Sequence, residues 1–328
     1  MKRVFKSQLA GPLIAFIIIF IVATVTTPRF FDFDNFSNQI LQVAIISIMA
    51  IGSTLVIITG GIDISPGAAM ALQTMLIAVF IKDLKMSVPA TLVIILLIGL
   101  VMGIYNGVLV AYLRIPAFIA TLASQNIFRG ISFMLNNGAP LQSLSGGLEP
   151  IFYTKLFGKV PIVLFYILIL YVIAYQFMKY SQIGRNIYAI GGNENAARLS
   201  GINVKHITVI TFATAGILTA AASFLMSCRL NSGSQNYGSG LEMSAIGAAV
   251  IGGASLSGGK GNVAATFIGA MTIVIVQNVL NLNSIPTAVQ SVVTGAIIMI
   301  AVFIDMWKGD AGRFFSRKLS RQPAPEGK

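Results

Sequence analysis

The sequence predicts an all-α, polytopic membrane protein of about ten transmembrane helices, and three observations lead there. Apolar stretches approaching or reaching the length needed to cross a bilayer, about 17–25 residues, recur from end to end. Of 328 residues, 56% are hydrophobic and only 10% charged, where a soluble domain carries roughly 25% charged residues. The cations sit in short connectors and at the two ends, as residues flanking spans do. No length is left over for a separate soluble module.

The expected spans cover residues 9–27, 40–59, 67–81, 88–112, 115–135, 161–178, 207–228, 243–254, 263–280 and 288–304. The first follows a basic head, "MKRVFK", and resembles a signal peptide in outline. Its apolar stretch is longer than a signal core and no small-x-small cleavage site follows, so it reads as an uncleaved span. The segments beginning at Gly67, Ile115 and Met243 are short or interrupted by polar residues, which suits re-entrant or broken helices.

Alternating these segments from a cytoplasmic amino terminus places 15 of the 22 Lys and Arg residues inside. These are Lys2, Arg3, Lys6, Arg114, Lys179, Arg185, Arg198, Lys205, Lys260, Lys308 and the five between Arg313 and Lys328. The bias predicts that both termini face the cytoplasm. Residues 1–312 form the membrane domain, with a cytoplasmic connector at 179–206; residues 313–328, with Pro323 and Pro325, read as a disordered basic cytoplasmic tail.

The net charge of +12 does not indicate nucleic acid, because no basic stripe is interleaved with aromatics. The single cysteine, Cys228, and single histidine, His206, cannot build a disulfide framework or a metal site of their own kinds. With no nucleophile–base pair in view, an enzyme is disfavoured.

Two short sequences repeat. "GIDIS" at 61–65 returns as "GLEMS" at 240–244, each before a run of small residues; more weakly, "VLVAYLRIPA" ending at Ala117 is echoed by "VLNLNSIPTA" ending at Ala288. Alternation gives the two acid motifs opposite orientations, the pattern of an inverted repeat. An acid at the bilayer centre costs about 2.5–3.5 kcal/mol, so Asp63 and Glu242 are expected to avoid lipid. Asp63 suits a helix start before Pro66; ion or proton coupling and gating are the other readings. The remaining acids fall in loops or near span ends, leaving a proton relay without company.

The connector "GRNIYAIGGNENAARLSGINV" holds a short helix, capped by Asn193, with Glu194 in its first turn and Gly201 as its stop. About two turns are marginal alone. Ala196, Ala197, Leu199 and Ile202 give it a small apolar face beside Arg198, to pack on its own membrane domain or in a groove of a cytoplasmic protein. The run "IGGASLSGGKGN" fails as a phosphate loop: Ala254 stands where the first glycine belongs and Gly261 where the hydroxyl belongs. Its glycines permit turns and close helix contact. Three intramembrane amides, Asn106, Gln125 and Asn126, suit either sugar hydroxyls along a path or bridges between helices.

"GGIDISPG", the connector, and "GLEMSAIGAAVIGGASLSGGKGNVAATFIGA", in this order and spacing, closely resemble the permease subunits of ribose-type ATP-binding-cassette sugar importers, from about Phe30 to Phe303. The resemblance implies a bacterial inner-membrane permease working as a homo- or heterodimer. A cytoplasmic ATPase would hold ATP and Mg, with no cofactor in this chain, and an extracytoplasmic sugar-binding protein would deliver a monosaccharide. Arg185, Asn186, Gly191, Gly192, Asn193, Glu194, Ala197, Arg198 and Gly201 carry over as ATPase contacts. Gly61, Asp63, Ser65, Gly67, Glu242, Gly252, Gly253, Gly258, Gly259 and Gly261 carry over as motif or gate positions. Pro66 departs from the small aliphatic residue common there. The rival class is an ion-coupled secondary carrier acting alone.

Overall fold

The computed structural model describes residues 2–144 and 147–319, with side chains described for 9–144, 147–303 and Met306. Thirteen α-helices are described. They are α1 (Lys2–Thr26), α2 (Phe33–Ile58), α3 (Pro66–Ala78), α4 (Val88–Ala111), α5 (Ala117–Met134), α6 (Glu149–Tyr153), α7 (Val163–Tyr180), α8 (Gln182–Gly192), α9 (Glu194–Leu199), α10 (Val204–Leu230), α11 (Leu241–Ile251), α12 (Val263–Leu282) and α13 (Thr287–Leu319). Each of the ten expected spans coincides with one of them. Among the described residues, six helices are long and apolar enough to cross a membrane: Leu9–Thr26 within α1, and α2, α4, α7, α10 and α12. The chain is therefore a multi-pass membrane protein.

Helix α2 is the hub, packing against α7, α10, α11 and α12. Of its most apolar stretch 89% is buried, against 11% for α1, whose Ile14, Ile18 and Val22 point outward. Helices α4 and α10 run antiparallel and unusually close. Gly99, Gly103 and Gly107, one turn apart along α4, lie against Gly216, Phe212 and Val209 of α10, so backbones meet as they do across small-residue membrane interfaces.

One end of the bundle gathers the carboxyl ends of α2, α4 and α11, the amino ends of α10 and α12, and the α8–α9 connector. The opposite end carries two antiparallel pairs of two-residue strands. There β1 (Leu141–Gln142) pairs with β4 (Ser232–Gly233), and β2 (Lys155–Leu156) with β3 (Val160–Pro161). Helix α3 closes on a π-helical turn, Val79–Asp83.

Three expectations need correction. Helix α2 begins at Phe33 rather than near residue 40, because the polar Asn35 and Gln39, ahead of the expected span, are buried and bonded to Asn278 of α12. The connector holds two helices, not one. Helix α13 carries its backbone on to Leu319, past the expected start of a disordered tail at 313; residues 320–328 lie outside the described residues.

Candidate coupling and gating site

Residues 61–65 run without regular structure into α3. Asp63, 6% exposed, accepts hydrogen bonds from the Ser65 backbone N–H at 2.9 Å and the Ser65 hydroxyl at 2.7 Å. Asn106 of α4 donates its amide to Ser65 Oγ at 2.8 Å, and Ser124 of α5 donates to Asn106 Oδ1. Every donor in this series points toward the carboxylate, so the charge polarises the whole line. The acid thus fixes the entry to α3 through an Asx-type turn, without reaching the N–H groups of the first helical turn. A cavity of about 10 Å³ beside it is lined by Asp63, Ser65, Gln73, Met102, Asn106 and Thr219. That is scarcely room for one water, and none for a sugar.

Removing the acceptor strands two buried donors, the N–H and hydroxyl of Ser65. Asp63→Ala is expected to cost about 1–3 kcal/mol, the penalty for an unsatisfied buried polar group, while Asp63→Asn keeps an oxygen in place and costs less. Melting of both variants in detergent checks this order; equal melting temperatures would contradict it.

The second acid motif meets the first. Gly67, in the opening turn of α3, lies against the Glu242 carboxylate and the Gly238 carbonyl, leaving no room for a Cβ. The starts of α3 and α11 therefore touch, while the chain before α11 climbs back along α3, where Gly233 abuts Thr74 and Ala78. Glu242 is 7% exposed, and its Oε2 has no hydrogen-bond partner. Arg129 of α5 supplies the nearby positive charge and donates to the carbonyls of Gln235 and Tyr237.

At the connector end the three quoted motif blocks converge. The Gly259 N–H donates to the Ile58 carbonyl at 2.8 Å, and Gly191 sits so tightly over that bond that a Cβ would overlap the Ile58 carbonyl. Gly258 touches both Gly191 and Gly60. Gly261 packs on Ile58 and Ala254, and Gly252 on Ala265 and Thr266. Gly258 and Gly259 adopt φ of +82° and +72°, the left-handed region that glycine enters without strain. So Gly252, Gly258, Gly259 and Gly261 join α11 to α12 beneath the connector. Gly253 turns the chain after α11 with φ of +86°, and Gly61 lies beside Val56 and Ala117.

The connector itself is a pair of helices. Ser181 caps α8, accepting from the Gly184 N–H at 2.9 Å, and Ile187 and Ile190 are buried. Burial pushes the Tyr188 phenol up to about 12, so it stays protonated and donates to the Gly261 carbonyl at 2.8 Å. Asn193 caps α9, accepting from the Ala196 N–H at 3.0 Å, and Gly201 ends it with φ of +82°, both as expected. Ala197 is buried, whereas Glu194, Arg198 and Gly192 are exposed. Arg185 is exposed with its guanidinium on the Tyr180 carbonyl, and Asn186 is half-buried. Leu199, 90% exposed, projects from α9; its apolar character beside charged neighbours was the only sequence signal.

The three amides separate. Asn106 is buried as a bridge between α3's entry and α5. Gln125 is half-buried, and Asn126 is exposed, donating to the Leu122 carbonyl at 2.9 Å. They share α5 with exposed Phe118, Ile119 and Ile127.

Two short helices, α3 and α11, thus meet start to start within the helical membrane bundle, and the α8–α9 pair docks at one end. The chain belongs to the family described as branched-chain amino acid transport system / permease component, whose model matches residues 35–302. It is 38% identical to the ribose import permease protein RbsC of Haemophilus influenzae over 299 residues, 90% of this chain and 92% of that one. It is also 38% identical to RbsC of Bacillus subtilis, covering 92% and 94% of the two chains. Identity to the xylose transport system permease protein XylH of Escherichia coli is 33%, covering 89% and 90%. No solved structure matches the chain.

Proposed function

We propose that this chain is the membrane-spanning subunit of an ATP-driven importer for a monosaccharide such as ribose. Family membership and the ribose and xylose permeases it resembles support import over an ion-coupled carrier, and make the chain a transport component rather than an enzyme. Two such subunits would enclose the path, a cytoplasmic ATPase would bind ATP and Mg, and an extracytoplasmic binding protein would present the sugar at a bacterial inner membrane. The α5 amides Gln125, half-buried, and Asn126, exposed, are assigned to the path.

Ten passes with both termini cytoplasmic fit the placement of the cations. The inverted repeat gains support from the backbone: Arg114 and Ser284, two residues before Pro116 and Pro286 in the echoed segments, both take left-handed φ, +58° and +56°. Each follows a long helix and precedes another, and α3 and α11 head in opposite directions from their meeting point.

The observation that carries the mechanism is the convergence of Gly191, Ile58 and Gly259. Force applied to α8–α9 by an ATPase gripping Leu199, Glu194 and Arg198 passes directly to the end of α2 and to the turn before α12. ATP shifts such an equilibrium only through its differential affinity for the two states. Glu194→Lys or Gly201→Leu is therefore expected to lower sugar uptake into vesicles at least tenfold while ATP hydrolysis continues and the chain remains inserted. Uptake at the parental rate would remove the lever.

A further inference from the structure

We propose that a groove between the connector and the ends of α4 and α10 binds the phosphate headgroup of an anionic phospholipid. The cavity measures about 580 Å³, within the roughly 300–1,000 Å³ range of small-molecule sites. Arg114, Arg198 and Lys205 face a single acid, Glu194, in its lining, a net +2. Arg198 reaches the Asn195 amide and Lys205 Nζ lies 5.2 Å from the centre of the Tyr112 ring. No carboxylate pairs with any of the three cations among the described residues. The opening turn of α10 adds the positive end of its dipole.

Placement selects a lipid over a free anion. The wall includes Val110 and Ala111 from the last turn of α4, with Val204 and Thr208 from the first turns of α10, so the groove lies where two apolar helices leave the membrane. Tyr112 and Leu113 stand beside it, 52% and 63% exposed: an aromatic suited to the headgroup level and an apolar surface for an acyl chain. Basic pockets between helices on the cytoplasmic side are suited to anionic headgroups. Because Glu194 and Arg198 belong to α9, a bound headgroup ties the connector to the ends of α4 and α10, and lipid composition becomes an input to coupling. The proposal rests on the cytoplasmic placement of this end.

Native mass spectrometry of the full chain in detergent tests it, with phosphatidylglycerol, phosphatidylcholine or inorganic phosphate added. Phosphatidylglycerol is expected to stay bound at least tenfold better than phosphatidylcholine, and Arg114→Ala/Lys205→Ala to remove that preference while Arg114→Lys/Lys205→Arg keeps it. Melting of the variants separates lost binding from lost folding, and Lys205→Gln alone, expected to reduce the preference severalfold, serves if the double variant fails to fold. Equal retention of the two lipids, or an unchanged preference in a folded double variant, overturns the proposal. Inorganic phosphate displacing the lipid at millimolar concentration assigns the groove to a free anion and overturns it equally. Binding in detergent is independent of orientation, so a failure of the importer reading would appear in vesicle uptake and leave this measurement intact.

Discussion

Gly67→Val is expected to leave almost no folded protein in the membrane. The new side chain would land on the Glu242 carboxylate and the Gly238 carbonyl, and neither has anywhere to go: Glu242 is buried and Gly238 is backbone held at φ of +78°. Overpacking a core typically costs 1–3 kcal/mol and occasionally more. Here a buried carboxylate is displaced as well, so a loss of about 3 kcal/mol or more is expected. Gly11→Ala, on the exposed face of α1 with open space around the added carbon, should change stability by less than about 0.5 kcal/mol. Melting in detergent and membrane abundance would reveal the contrast. Parental abundance of Gly67→Val would mean that the two helix starts stand further apart than described.

Gly191→Val is expected to separate transport from assembly. Its side chain would enter the bond between the Gly259 N–H and the Ile58 carbonyl, prising the connector from α2 and from the turn before α12. Helix α8 keeps Ile187 and Ile190 buried, so the chain still inserts, while motion of the connector no longer reaches the bundle. Uptake should fall at least tenfold with membrane abundance within about twofold of the parent. A variant importing sugar normally would show that force takes another route.

What the sequence disclosed followed the range of its signals. The six long apolar helices were legible because apolarity over about twenty residues is a local property, and the Asn193 and Gly201 boundaries of α9 were legible because capping is local too. Helix α8 is hard to read in the sequence, although Ile183, Ile187 and Ile190 are spaced for one helix face, because Gly184, Gly191 and Gly192 lower its propensity. The two-residue strands are too short for any periodicity. Asn35 and Gln39 are polar residues at a span's edge whose partner, Asn278, lies more than two hundred residues away. Likewise no local pattern pairs Glu242 with Gly67 or Arg129; only the folded chain brings those residues together.

Helix α2 carries a consequence for biogenesis. It ends at Ile58, and its partner α10 begins at Val204, 146 residues later. At about 5–20 residues per second, the ribosome needs roughly 7–30 s to cover that distance. For that interval α2 lacks the helix that packs along it, and its mean hydropathy of 2.3 makes contact with lipid tails tolerable. A nascent chain stalled between the two helices would expose this segment to membrane quality-control proteases.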